Sequence, residues 1–359
     1  MNRNISEPDH SAPVTRAKWQ LLKRGLTLGL FAAMAILLFV LFKNLEWQEV
    51  KESLRAYQLS TLALGLIIAF LSYLVFSSYD LLGRSYTQHP LPTKQILPIA
   101  FVCYAFNINL SSWIGGVALR YRLYSRLGLR ISTITQIISL SVFTNTLGYI
   151  IVAGVIFSLR LVQLPANWEL SVTALQWIGF ALLLIAASYL YACAFAQRRS
   201  WTIYKYELTL PSLRLALGQV LLATVNWSLM ALLIFLLLPP TASYSTVLGL
   251  LLISGMAGMI AQIPAGIGVL EAVFMTLLQH QFSTASIFAA LLAYRALYFL
   301  LPLGFACLLY VILEGHAKKW VNRQHVWAVL PENPEGVRAQ TKETTTDTVI
   351  AQTCATPNS

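Results

Sequence analysis

The stretch AQIPAGIGVLEAVFMTLLQH, Ala261 to His280, sets the terms for reading the whole chain. Pro264, Gly266 and Gly268 interrupt an apolar run, and three residues after Gly268 stands Glu271, a carboxylate among side chains otherwise suited to hydrocarbon. A charge in a bilayer interior costs about 2.5–3.5 kcal/mol on insertion scales, so such residues face protein and pair. The nearest basic side chain inside an apolar run is Arg295, in AYRALYFLLP, Ala293 to Pro302.

The composition agrees with a membrane setting. Hydrophobic residues make up 57% of the 359 and charged residues 11%, against roughly 25% charged in soluble domains. At roughly 20 residues per pass, the chain has room for six to nine hydrophobic segments and no soluble domain with its own active site. The fold class expected is an all-α polytopic membrane protein. Cys103, Cys193, Cys307 and Cys354 lie far apart without C-x-x-C or C-x-x-H spacing, which argues against structural zinc and a disulfide framework. The apolar run after the basic N-terminal residues shows no small-residue cleavage site, so it reads as a retained first helix rather than a signal peptide.

Hydropathy and the positive-inside rule order the rest. Residues 1–25 form a basic tail, and clear spans are expected at 26–42, 59–79, 133–158, 170–195, 213–238 and 285–313. Two segments resist that reading. One is QILPIAFVCYAFNINLSSWIGGVAL, residues 95–119, broken by Asn107, Asn109, Ser111, Ser112, Gly115 and Gly116 and followed by Arg120, Arg122, Arg126 and Arg130. The other is 246–280, which contains the Pro264 break. Broken backbone at membrane depth is tolerated where protein buries it or it lines a cavity. Read as re-entrant hairpins, the two segments place 20 of the 25 Lys and Arg in the cytoplasm and four outside, with Arg295 left in a span. Both termini are then cytoplasmic. Residues 331–359, poor in large apolar side chains, read as a disordered tail.

Six spans and two hairpins, countable as seven to nine transmembrane segments, arrange as two halves, 26–158 and 170–313. Each half reads span, span, hairpin, span, with the hairpins opening to opposite sides. Aligned at their tips, Gly115 falls on Gly266 and Arg120 on Glu271, each charge five residues after its glycine. Inverted repeats with broken helices place a binding site at their interface, near the midplane. Arg295 lies about 10 residues into its span, about 15 Å deep at the helical rise, close to the middle of a core about 30 Å thick. Glu271, just past a hairpin tip, is expected at similar depth.

Each candidate has a bland reading beside a functional one. Glu271 with Arg295 is either an ion pair locking the hairpin or part of a headgroup pathway. The glycines are either a tight turn or a way to aim backbone N–H groups at an anion. Asn107 and Asn109 satisfy freed backbone groups or line a polar cavity with Arg120. Ser141, Asn145 and Gly148 form one helical stripe, for packing or for polar contact. Tyr294 and Tyr298 flank Arg295, as packing residues or as hydrogen-bond donors. Arg122, Arg126 and Arg130 set topology and form a surface for anionic lipid. The chain lacks G-x-x-x-x-G-K-[ST], H-E-x-x-H and G-x-S-x-G, and its five histidines sit in tails or at segment ends. No enzymatic activity, metal, cofactor or nucleic-acid partner is expected.

The runs NINLSSWIGGVALRYRLYSRLGL, IPAGIGVLEAVFM and AYRALYFLLP, in that order, resemble the motifs of the membrane half of bacterial lysylphosphatidylglycerol synthases. That half also occurs alone, in the YbhN-like family of inner-membrane proteins, and the likeness covers about 26–315. Matching positions are Asn109, Gly116, Arg120, Pro264, Gly266, Gly268, Glu271, Tyr294 and Arg295. The resemblance implies a plasma-membrane protein that moves a phospholipid or polyprenyl-phosphate headgroup between leaflets. The synthase activity does not carry over, because the aminoacyl-transferase domain has no counterpart here. The rival expectation is a membrane scaffold that partners a lipid synthase or an envelope complex. An intramembrane enzyme is a weaker third, for which no nucleophile and base can be named.

Overall fold

The computed structural model describes residues 47–110, 116–161, 172–196, 200–203, 206–261 and 266–313. The basic tail 1–25, the expected span 26–42, Ser111, Ser112, Gly115, Pro264 and the tail 331–359 lie outside them. The helices are α1 Trp47–Arg55, α2 Leu59–Ser77, α3 Tyr79–Thr87, α4 Thr93–Asn109, α5 Leu119–Arg126, α6 Ile131–Ser158, α7 Val172–Phe195, α8 Leu213–Leu237, α9 Tyr244–Ala261, α10 Val269–Leu278 and α11 Thr284–Arg295. A π-helical turn, Ala296–Leu300, follows α11, and the helical stretch runs on to Leu313. The described residues up to Tyr310 belong to one compact unit.

Among the described residues, five helical stretches are long and apolar enough to cross a membrane: Leu59–Thr87, Ile131–Ser158, Thr173–Phe195, Leu213–Leu237 and Thr284–Leu313. Four match the expected spans within a few residues. The stretch starting at Leu59 does not stop at 79 as the hydropathy suggested. It continues through α3, so Asp80 and Arg84 are helical and Asp80 is fully buried. A polar residue ends a span only if it must reach water, and Asp80 has a partner inside the protein.

Two further elements lie between the expected spans. Trp47–Arg55 is a helix, and its Leu54 packs with Met275 against Ala285, Phe288 and Ala289. Ser200–Ile203 and Tyr206–Thr209 pair antiparallel, Ser200 opposite Thr209 and Ile203 opposite Tyr206. The β-branched and aromatic residues of SWTI and YELT suit a strand pair, so the described residues are helical apart from one short antiparallel strand pair.

Helices that are apolar on every side cannot choose neighbours by hydrophobicity, because lipid and protein are equally apolar. Small residues make the choice by allowing close approach. A Cβ at Gly148 of α6 would land on Ala223 of α8, and one at Gly179 of α7 would strike the backbone of Ser158 and Phe157 at the end of α6. The outer faces carry exposed Ile67, Phe70, Trp177, Leu184 and Phe195. α8 sits among α2, α6, α9 and α11 and buries Gln219 and Asn226 completely.

Ahead of α5, a Cβ on Gly116 would meet Asn107 of α4. Tyr121 of α5 shares a hydrogen bond of 2.7 Å with Thr135 near the start of α6. Gly83 of α3 lies on Ile137 of α6, and Tyr86 OH donates to the carbonyl of Thr209 at the end of the second strand. The end of α3, the beginning of α6 and the strand pair therefore gather together. On other elements, Tyr57 ahead of α2 donates to the carbonyl of Leu237 at the end of α8.

Replacing Gly148 by Ala forces α6 from α8 and, at about 1–3 kcal/mol for overpacking, should lower the melting temperature in detergent. Gly304→Ala, where a Cβ meets nothing within 4 Å, should not lower it. Equal melting temperatures for the two variants would refute the close approach.

Candidate functional site

The second broken segment joins α9 to α10 through two glycines with left-handed backbone, Gly266 (φ 56°) and Gly268 (φ 84°). Residues with a Cβ resist that region, which is why glycine stands at both positions. Gly268 caps α10, whose first backbone N–H groups have no helical acceptor. Glu271, in the first turn, takes one of them: the Gly268 N–H donates to its Oε2 at 2.8 Å, one half of a capping box.

The same carboxylate receives Arg295 side-on. Arg295 Nε donates to Oε1 at 2.7 Å and Nη2 to Oε2 at 3.1 Å. Nη2 also donates to the Gly266 carbonyl at 3.1 Å, and the guanidinium lies 4.9 Å from the Phe299 ring centre. One arginine thus ties together the turn, the start of α10 and the end of α11. The side chains are 14% and 10% exposed, so the pair is sheltered without being sealed.

Behind it the π-helical turn opens the backbone. Pro302 has no N–H for the Tyr298 carbonyl four residues earlier, and that carbonyl accepts from Tyr73 OH at 3.0 Å instead. The Phe299 carbonyl accepts from Asn109 Nδ2 at 3.2 Å. Tyr294, fully buried, stacks on Tyr298 with ring centres 5.4 Å apart. Tyr298 OH meets Ser72 Oγ and Tyr104 OH, each at 2.8 Å, and Ser72 donates to Asn226 Oδ1 at 2.9 Å. This buried chain of hydroxyls and amides joins α2, α4, α8 and the π turn.

The first broken segment carries a second ion pair. Arg120 of α5 grips Asp80 of α3, Nε to Oδ2 at 3.2 Å and Nη2 to Oδ1 at 3.0 Å. Tyr124 OH donates to Oδ2 at 2.8 Å and Arg120 Nη2 reaches Ser141 Oγ at 3.4 Å. Here the side chains are 4% and 0% exposed.

The expected residues therefore divide. Glu271, Arg295, Gly266 and Gly268 form one cluster, with Tyr294 adjoining it through Tyr298 and Phe299 and Asn109 on the π turn. Arg120 is not free to meet a headgroup: Asp80 neutralises it, in a pair separate from Glu271 and Arg295. Asn107 packs at Gly116, and Asn145 uses its backbone carbonyl to accept from Trp227 Nε1 at 3.2 Å. Gly148 serves packing. Arg122 is exposed, with its guanidinium 5.9 Å from the Tyr310 ring centre, while Arg126 is half-buried and Arg130 exposed. The residue missed from sequence is Asp80. It stands in SSYDLLG, after two serines and a tyrosine at the margin of the apolar run, where a span cut at about 20 residues leaves it in the loop.

A buried pair is broken expensively, about 3–5 kcal/mol when one partner is removed, whereas replacing both with apolar residues is often neutral. Asp80→Asn and Arg120→Gln should each lower the melting temperature in detergent more than the double variant Asp80→Leu/Arg120→Met does. A double variant as unstable as the worse single would show that the cost lies in losing the pair's own bonds and not in a stranded charge.

Comparison with known proteins agrees with this architecture. The family described as the lysylphosphatidylglycerol synthase TM region matches residues 26–306. Inner membrane protein YbhN of Escherichia coli (strain K12) is 50% identical over 305 residues, 84% of this chain and 95% of that protein. An uncharacterized protein of Synechocystis sp. is 30% identical over 288 residues, 77% of this chain and 89% of its own length. With its spans, its two broken segments and a match over most of its length, the chain belongs to the lysylphosphatidylglycerol synthase TM region family.

Proposed function

We propose that this protein is a lipid translocase of the bacterial inner membrane, passing an anionic phospholipid or polyprenyl-phosphate headgroup between leaflets while the acyl or prenyl tails stay in lipid. The observation that carries the reading is the Glu271–Arg295 pair: bidentate, at a glycine-bent turn between two helices, and more open than its counterpart at Asp80. Intramembrane ion pairs of this kind mark substrate pathways, and a guanidinium recognises phosphate in the same two-pronged way as carboxylate. A headgroup phosphate replaces Glu271 on Arg295 during passage, and Glu271 keeps its hold on the Gly268 N–H.

In this reading the α4–α5 and α9–α10 segments are re-entrant hairpins of an inverted repeat. Supporting it, the second limb of each is pinned by a bidentate pair through arginine Nε and Nη2, with the charges reversed between halves. Both termini then lie in the cytoplasm, Arg122, Arg126 and Arg130 face inner-leaflet phosphates, and the protein acts as a transporter without enzymatic activity or cofactor.

One observation favours the rival scaffold reading: every hydrogen bond just described also holds the hairpin in place. Charge reversal does not separate the two, because an arginine at 271 could not accept the Gly268 N–H. Leaflet exchange in proteoliposomes does. Labelled phosphatidylglycerol, cardiolipin, phosphatidylethanolamine and undecaprenyl phosphate should reveal at least one lipid exchanged by the wild type, and Arg295→Ala and Glu271→Gln should slow it at least tenfold while eluting as folded protein. Folded wild type that exchanges none of the four would move the assignment to a scaffold, and Arg295→Ala that matches the wild-type rate would take the headgroup pathway away from the Glu271–Arg295 pair.

A further inference from the structure

The turn from α3 to α4 carries a second polar site, apart from both ion pairs. Leu81, Arg84, Ser85, Gln88, His89 and Thr93 line a cleft of about 580 Å³, within the range of roughly 300–1,000 Å³ usual for small-molecule pockets. His89 is only 7% exposed. Its Nδ1 accepts the Leu91 N–H at 3.3 Å, which places the ring proton on Nε2. That buried Nε2 has no partner among the described residues. Burial and the Arg84 guanidinium hold His89 below the usual histidine range, with Asp80 opposing them, so at neutral pH the ring is a neutral donor.

Arg84 contributes the charge. Its one side-chain hydrogen bond among the described residues runs from Nη1 to Thr93 Oγ1 at 3.2 Å, leaving most of its five donors unspent. The acid one turn earlier, Asp80, is engaged by Arg120 and Tyr124. Thr93 opens α4, a helix of 17 residues, whose N-terminal dipole favours an anion as well. A guanidinium, an imidazole N–H, hydroxyls and an amide converge, and among the described residues no carboxylate lines the cleft.

From this geometry we infer that the α3–α4 cleft binds a phosphate group, held by Arg84 and His89 Nε2–H with the hydroxyls of Ser85 and Thr93. Guanidinium forks and multiple donors are the recognition chemistry of tetrahedral oxyanions. The phosphate comes either from a lipid headgroup or from a soluble phosphorylated compound. The site does not depend on lipid translocation, since none of its residues belongs to the Glu271–Arg295 cluster.

The test titrates the purified full chain in neutral detergent with inorganic phosphate and, separately, with short-chain phosphatidylglycerol. Binding is followed by phosphorus NMR and by the shift in melting temperature. At least one probe should bind saturably, and Arg84→Gln and His89→Phe should each weaken it at least tenfold, with Arg84→Lys recovering part of the loss. Binding of phosphate alone assigns a soluble ligand, and binding of phosphatidylglycerol only assigns a lipid headgroup. If His89→Phe does not fold, half-buried Arg84 carries the test by itself. Failure of both probes to bind, or binding that survives Arg84→Gln and is lost in Arg295→Ala, would overturn the assignment.

Discussion

An arginine in a protein does not give up its proton, so one placed among apolar helices must be met by an anion at the same depth. That requirement governs both irregular segments of this structure. Arg120 and Arg295 each offer Nε and Nη2 to one carboxylate, and each carboxylate is completed by a third donor, Tyr124 OH on Asp80 and the Gly268 N–H on Glu271. Removing either charge leaves the other buried and uncompensated. The pairs therefore fix where α5 lies against α3 and α6, and where α10 lies against α11.

Around these anchors the packing follows from the lack of any hydrophobic preference between lipid and protein. Gly148 and Gly179 bring α6 within backbone distance of α8 and α7. Amides and hydroxyls then finish the specification: Gln219 of α8 accepts from Tyr189 of α7 and donates to Thr144 of α6, at 2.7 and 2.8 Å. Polar groups placed in this way have few alternative partners in an apolar setting, which narrows the set of arrangements the helices can adopt.

The irregular backbone lies where the polar side chains converge. Pro302 releases the Tyr298 carbonyl, the π turn offers the Phe299 carbonyl, and Tyr73 and Asn109 answer them. Such turns are frequent at functional positions in helices, and this one lies directly beside Arg295. The contrast between the two ion pairs bears on function: one is sealed in the protein, and the other keeps a small exposure at a glycine turn.

Composition alone made this a membrane protein, and apolar run length placed five spans, because transfer from water to hydrocarbon depends on a segment's own side chains. Glu271 and Arg295 could be matched by elimination, as isolated opposite charges in neighbouring apolar runs, and Gly266 and Gly268 marked their turn because so few residues adopt a left-handed backbone. Asp80 could not be matched that way. It sits at the margin of a run, where hydropathy does not distinguish a span end from a buried acid, and its partner lies 40 residues away. Nor could sequence tell that Arg120 is spent on Asp80, that Asn145 meets Trp227 through its carbonyl, or that Tyr298 gathers hydroxyls from α2 and α4. Those outcomes depend on the rotation and depth of each helix against its neighbours. Only the packed bundle sets these, because an all-round apolar helix carries no moment to orient it.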